Sequence, residues 1–524
     1  MAIFPIFGGI TVKLSYRRTF LVGFAFFLIC AFWQAYDSLI PKILTDKFGM
    51  SQANSGIIMA LDNVLALFML PLFGAISDKC GSRLGRRTPF ILIGTLCAAV
   101  LLAVLGFVDG KQLKNLSAIQ GMDTPETMQT LYDHSYTGDL MTPEGERFVL
   151  ADEAPEGIKA ISREQFSSIK LDDADYLSYV APARQAYAHD ITSQNPRPLI
   201  LFIAVLLLLL ISMAIFRSPA VALMPDVTMK PLRSKANAII NLMGSAGGII
   251  ILGLGMMFAT GSARNALMPY LKFFIIVSGL MLISLGIFLL TVREPKWARE
   301  MHEESQKYGI EEKEDDVSGN KQKLGSAERR SLIFLLLSIV LWFMGYNAVT
   351  SKYSVYAGKV LSRDFNMTLI IAQAAAIISY LPVGIIASRV GRKKTILAGI
   401  VMLAAAFGIA SFLRAGSSTL LMNLMFALAG IAWATINVNS FPMVVEMCRG
   451  SDIGRYTGYY YTASMAAQTV TPYLSGMLMD RAGMTTLFPY ATVFVALAFI
   501  TMLFVMHGDS KPEARKGLEA LDND

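Results

Sequence analysis

Apolar runs of roughly 20 residues recur along the chain, parted by short polar stretches. Each run is long enough to cross a bilayer as a helix, and the pattern predicts twelve of them. They fall at about 18–41, 53–77, 89–108, 198–222, 236–260, 268–291, 331–356, 367–388, 395–414, 418–442, 457–479 and 486–507. Lipid tolerates only backbones whose polar groups bond internally, which leaves helices or closed barrels. The runs are continuous, not alternating, so a barrel is excluded. The expected fold is an all-α membrane protein.

The polar stretches set the orientation. Arg17 and Arg18 precede helix 1, and Lys79, Arg83, Arg86 and Arg87 follow helix 2. Lys230, Arg233 and Lys235 follow helix 4, Arg392, Lys393 and Lys394 follow helix 8, and Lys511, Arg515 and Lys516 follow helix 12. With twelve helices all of these lie on one side, so the positive-inside rule places both termini in the cytoplasm of a cell with a multi-pass inner membrane protein. The first run lacks a small-residue cleavage site and reads as a retained helix.

Two polar segments are long. Residues 109–197, between helices 3 and 4, are acidic and contain Tyr132, Tyr136, Phe148, Phe166, Tyr176, Tyr179 and Tyr187. A small folded extracytoplasmic cap is expected there. Residues 292–330, with the run Glu311–Asp316, read as a cytoplasmic linker. The organisation is therefore 1–108 and 198–291 as an N-terminal bundle interrupted by the cap, the linker, 331–510 as a C-terminal bundle, and 511–524 as a tail.

Composition agrees. Of 524 residues, 54% are hydrophobic and only 16% charged, with a mean hydropathy of +0.50. Soluble proteins carry about 25% charged residues. The net charge of +7 belongs to the membrane-orienting loops, so no nucleic-acid partner is expected. Cys30 and Cys97 lie in spans and Cys80 and Cys448 in cytoplasmic loops, so no disulfide is expected. There is no Walker A loop, no H-E-x-x-H or C-x-x-C metal motif, and the four histidines all lie outside the spans. An enzyme, ATP drive and a resident cofactor are not expected.

Helix 2 ends Gly74-Ala-Ile-Ser-Asp78 and leads to Gly85-Arg86-Arg87; helix 8 ends Gly384-Ile-Ile-Ala-Ser388-Arg389 and leads to Gly391-Arg392-Lys393-Lys394. Glycine permits the tight turn, and Asp78 can accept charged hydrogen bonds from Arg86 or Arg87. Asp78, Arg86, Arg87 and Arg392, with Asp226 and Arg233, form the expected conformational gate. This repeat, in register in each half, resembles the loop signature of the major facilitator superfamily. The resemblance implies two pseudo-symmetric six-helix bundles, alternating access and a substrate site near the midplane. Gly85-Arg-Arg-Thr-Pro-Phe90, Arg217-Ser-Pro-Ala-Val-Ala-Leu-Met-Pro-Asp226 and Arg233-Ser-Lys-Ala-Asn237 resemble the plant sucrose transporters and the glycoside–pentoside–hexuronide:cation symporters. The helix 4 aspartate of sucrose transporters has no counterpart here; its place falls near Leu210.

Ionisable groups inside spans are costly and mark function. Asp37 shares a helix face with Trp33 and Gln34, a ring, a carboxylate and an amide that suit a sugar. Asp62, followed by Asn63, could take up a proton, or join Asp37 in coordinating Na⁺. Arg217 could pair with Asp62 or face an anionic substrate, and the structural alternative is snorkelling to the surface. Asp62, Asp37 and Arg217 are the candidate cation-coupling set. The second half offers Tyr346, Asn347, Thr350 and Tyr353 in helix 7, Gln373 in helix 8, Trp433, Asn437 and Asn439 in helix 10 and Gln468 in helix 11. Such neutral groups suit hydroxyl binding; each alone could equally be interhelix glue. The leading expectation is symport of a sugar or glycoside with H⁺ or Na⁺ by a monomer in the bilayer. An efflux antiporter for organic compounds and a non-transporting sensor using the cap are the alternatives.

Overall fold

The computed structural model describes residues 6–7, 10–11, 14–229, 233–307, 325–447 and 453–508. Cys448, Lys230, the Glu311–Asp316 run, Lys511, Arg515 and Lys516 lie outside the described residues, as do the side chains of Arg233, Lys235, Asn237, Ser388 and Arg389.

Twelve long helices are present among the described residues. They are α1 (Tyr16–Lys42), α2 (Gln52–Asp78), α3 (Thr88–Asn115), α4 (Arg197–Asp226), α5 (Arg233–Met257) and α6 (Leu271–Thr291) in the first half. The second half holds α7 (Ser326–Lys359), α8 (Phe365–Val390), α9 (Arg392–Ala410), α10 (Thr419–Glu446), α11 (Ile453–Ala482) and α12 (Leu487–Leu503). Ten are long and apolar enough to cross a membrane. The two that fall short are α8, whose apolar stretch is Phe365–Tyr380, and α11, which carries Asp480 and Arg481 at its end. Each half has its own apolar core. Phe32, Phe202, Phe216 and Phe288 sit in the first, and Trp342, Tyr356, Phe488 and Val495 in the second.

Local signals place the helix ends. Ser51 caps α2 by accepting from the Asn54 amide at 3.1 Å, and Asp364 caps α8 by accepting from the Asn366 amide at 2.7 Å. Gly85 and Gly391, the glycines of the repeated loop motif, sit at φ +113° and +102°, where a side chain would be strained.

The helices alternate in direction, so one end of the bundle carries the Gly85–Arg87 and Gly391–Arg392 loops (the basic end). The opposite end carries the segment between α3 and α4 (the cap end). That segment packs helices Pro125–Ser135, Arg163–Ser168 and Ala181–Gln194 against a three-stranded sheet of Leu140–Met141, Arg147–Val149 and Lys159–Ala160. Tyr132, Phe148, Phe166, Tyr176 and Tyr179 form its core, whereas Tyr136 is exposed and Tyr187 packs at the edge. The unit joins the first half through the Gln185 amide, which donates to the Met50 carbonyl at 3.0 Å. It also reaches the second half: the Thr485 amide donates to the Pro143 carbonyl at 3.3 Å.

Two boundaries differ from the sequence expectation. α3 runs on to Asn115 instead of ending near 108, because Asp109 is not a solvated loop residue. Its carboxylate accepts from the Lys47 ammonium at 2.5 Å and from the Tyr270 amide at 3.1 Å, with Lys47 and Asp109 both fully buried. Removing one partner of a buried pair strands the other charge, a cost of about 3–5 kcal/mol. Asp109→Asn is therefore expected to lower the melting temperature clearly, read by differential scanning fluorimetry; an unchanged melt would contradict the pairing. The linker also begins as structure. Its helix Glu294–Lys307 docks on the first half through buried Trp297 and Glu294.

Candidate functional site

Near mid-height, side chains from both halves face one another. In the first half, α1 supplies Trp33, Gln34, Tyr36 and Asp37, α2 supplies Asp62 and Asn63, and α4 supplies Arg217. The rings of Trp33 and Tyr36 meet edge to face at 5.3 Å, and the Arg217 guanidinium lies 5.2 Å above the Trp33 ring. Asn63 donates its amide N–H to Asp62 at 2.7 Å. The charges of Asp37, Asp62 and Arg217 act on one another. Among the described residues no direct ion pair joins Arg217 to either carboxylate; its guanidinium lies over Trp33 while its charge acts on Asp62.

The second half presents an aromatic and amide wall. Tyr346 of α7 and Trp433 of α10 stack at 3.6 Å with their planes 3° apart. Tyr380 of α8 is hydrogen-bonded to Asn437 of α10, and Tyr346 lies within electrostatic reach of both Tyr380 and Asp37. That reach from Asp37 to Tyr346 crosses between the two halves. Gln373 of α8 donates to Gln34 at 2.5 Å, a direct hydrogen bond between the halves.

Several buried polar atoms of these residues and their neighbours have no protein partner: Trp33 Nε1, the Tyr36 hydroxyl, Asn347 Nδ2 and Gln373 Oε1. An unsatisfied buried polar atom costs about 1–3 kcal/mol.

Not every sequence candidate joins this set. Tyr353 is packed in the core of the second half, its ring against Phe426 and its hydroxyl bonded to Thr368 at 2.7 Å. Thr350 bonds back to the Asn347 carbonyl at 3.3 Å, and buried Asn439 donates to the Thr435 carbonyl at 2.9 Å, both as local helix contacts. Gln468 of α11 is half-buried. Tyr36 and Tyr380 were not among the sequence candidates, because an aromatic in an apolar run reads as packing.

The comparisons with known proteins fit this arrangement. Residues 21–490 match the MFS_1 like family. The chain belongs to that family. The chain is similar to the sucrose transport protein SUC3 of Arabidopsis thaliana, 39% identical over 76 residues, which are 14% of this chain and 12% of that protein. The proton-associated sugar transporter A of Homo sapiens is 29% identical over 99 residues, 19% of this chain and 13% of that one. The matched stretch thus spans about an eighth of those relatives' own length. The fold is that of the xylose transporter XylE from E. coli in its inward open conformation, with a TM-score of 0.59 at 16% identity over 97% of this chain and 100% of the other. A bacterial homologue of the iron transporter ferroportin gives 0.57 at 11% identity, over 94% of this chain and 99% of the other.

In this MFS_1 like chain four of the six expected gate residues, Asp78, Arg86, Arg87 and Asp226, meet at the basic end. Asp226 accepts from Arg86 at 2.8 Å and from Arg87 at 2.7 Å, and Arg87 also reaches Asp78 at 2.5 Å. Burial opposes the Arg87 charge, but the Asp226 and Asp78 carboxylates outweigh it and hold its pKa above the usual value. Arg87 further donates to Ser77. Glu294, placed in the linker by sequence, turns out to belong here. It caps α3 by accepting from the amides of Arg87 at 2.9 Å and Thr88 at 2.8 Å. Arg392 begins α9 at the matching place in the second half.

The cap end holds a second charge cluster that the sequence reading did not find. Asp480 of α11 accepts from the Gln52 and Ala53 amides at the start of α2, both at 2.7 Å. Buried Lys352 of α7 donates to the Gln52 carbonyl at 2.5 Å. A helix N-terminus favours an anion, so Asp480 suits this place. Below it the α2 and α11 backbones touch: a β-carbon at Gly56 would overlap the Pro472 carbonyl, and one at Gly476 would overlap Gln52. Hydrogen bonds that join the halves among the described residues cluster at this end, so the molecule is closed there.

Proposed function

We propose that this protein is a cation-coupled symporter of a sugar or glycoside, working by alternating access with H⁺ or Na⁺ as coupling ion. The single observation that carries this reading is the cluster of charged, aromatic and amide side chains where the halves meet. Two carboxylates and one guanidinium on the first half face a stacked aromatic and amide wall on the second. Asp37 and Asp62 together outnumber Arg217 by one charge, so the first half has a place for one proton or one monovalent cation. Trp33, Tyr346 and Trp433 offer ring faces to the apolar side of a pyranose, and Gln34, Asn63, Asn347, Gln373 and Asn437 offer amides to its hydroxyls. The names of the sucrose and sugar transporter relatives support the same substrate class.

In this mechanism ion and solute bind at this cluster together and favour closure of the halves around it. The cap-end contacts of Asp480 and Lys352 and the Gln34–Gln373 bond hold the state seen here, and the Asp78, Arg87 and Asp226 cluster acts at the basic end. The positive-inside rule places that basic end and both termini in the cytoplasm of an inner membrane protein acting as a monomer. A thermal-shift panel of mono- and disaccharides in detergent, with and without Na⁺ and across pH, tests the substrate class. At least one sugar should raise the melting temperature saturably, and no response across the panel would count against it.

A further inference from the structure

Away from the central cluster, a cavity lies at the cap end where three parts of the chain meet. Lys42 and Asp46 line it from the end of α1, Tyr176, Arg184 and Gln185 from the cap, and Lys359 from the end of α7. Its volume of about 40 Å³ has room for about three water molecules.

The lining is rich in cations and short of acceptors. Arg184 and Lys42 are 6% and 4% exposed, and the Lys359 side chain is 13% exposed. A lysine ammonium has three N–H donors. Lys42 gives one to the Thr260 carbonyl at 2.7 Å, and Lys359 gives one to Gln185 Oε1 at 2.5 Å. Arg184 donates through Nη1 to the Tyr176 hydroxyl at 3.1 Å, and its buried Nε has no partner. Asp46 is the one carboxylate in the lining, 3.8 Å from Lys359. Asp364 and Asp480 act on Lys42 and Lys359 from further away. Their oxygens already accept from the amides of Asn366, Gln52 and Ala53. Three buried cations against one lining carboxylate are expensive to keep uncompensated.

We propose that this cavity binds a small monovalent anion, chloride or a short carboxylate, held by Arg184, Lys42 and Lys359. The site draws its walls from the first half, the cap and the second half at once. Separation of the halves at the cap end carries Lys359 away from Lys42 and Arg184 and dismantles it. The anion therefore binds the cap-closed state better than any cap-open state, and by linkage it stabilises that state. The cap becomes a strap whose grip on the second half depends on the anion present on its side of the membrane.

The test uses the full chain in detergent, without sugar and without an ion gradient, so its outcome is independent of the transport reading. Sodium gluconate, too large for the cavity, is replaced stepwise by sodium chloride or sodium acetate at constant ionic strength and pH. A saturable rise in melting temperature is expected with chloride, acetate or both. Arg184→Gln should raise the half-effective concentration at least about tenfold, a loss of about 1.4 kcal/mol in binding. Lys359→Gln should act in the same direction and serves if the first variant does not fold. A wild-type melt that is the same in all three salts overturns the proposal, as does an unchanged half-effective concentration in a folded variant.

Discussion

Asp62→Asn is expected to abolish accumulation of solute against its gradient while leaving solute exchange measurable. Asp62 stands in the span of α2 with Asn63 bonded to it at 2.7 Å and Arg217 close enough for its charge to be felt. An amide keeps the shape and the hydrogen bond but cannot carry the charge that a coupling ion must neutralise. Holding a solute tenfold concentrated requires about 1.4 kcal/mol from the ion gradient. A variant that cannot bind the ion has no access to that energy, so its accumulation ratio falls to about one. Exchange needs only the solute wall of Trp33, Tyr346, Trp433 and the amides, which the substitution leaves in place. The measurement is paired: gradient-driven uptake and counterflow exchange in the same proteoliposomes. Normal accumulation would remove Asp62 from the coupling role.

The second large effect is at the seam between α2 and α11. Gly476→Val should open the cap end. Its β-carbon would overlap Gln52, whose amide, with that of Ala53, donates to Asp480, so the helices must separate. Overpacking costs about 1–3 kcal/mol, enough to shift a two-state balance about five- to a hundredfold toward the cap-open state. Turnover should fall by a similar factor, because a transporter must visit both states. Spin labels at Asn54 and Arg481, both exposed at the ends of these helices, report the seam directly. Their distance should widen by several ångströms in the variant. An unchanged distance with full transport would show that the seam is not a gate.

The membrane fold was legible because hydropathy depends on run length alone. The twelve long helices appear where the apolar runs lie. Asp37, Asp62 and Arg217 were legible for the related reason that a charge in an apolar run stands out. What escaped the reading depends on pairing across the chain. Lys47 meets Asp109, Lys352 meets Gln52, and Glu294 caps α3, and nothing local to any of these residues announces its partner. Arg217 lies over the Trp33 ring as well as acting on Asp62, a ring contact that helical spacing does not announce. Tyr353 failed differently. It shares a helix face with Tyr346, but α8 and α10 cover it, so spacing alone could not separate core from cavity.

Coupled transport requires a solute and an ion to use the same polar cluster. Uptake of radiolabelled mono- and disaccharides into proteoliposomes, under an imposed proton gradient and separately under a sodium gradient, tests this most directly. One gradient should drive a sugar above its outside concentration, and collapsing that gradient should return it to equilibrium. Folded, correctly inserted protein that only equilibrates sugars, or moves none under either gradient, would contradict the account.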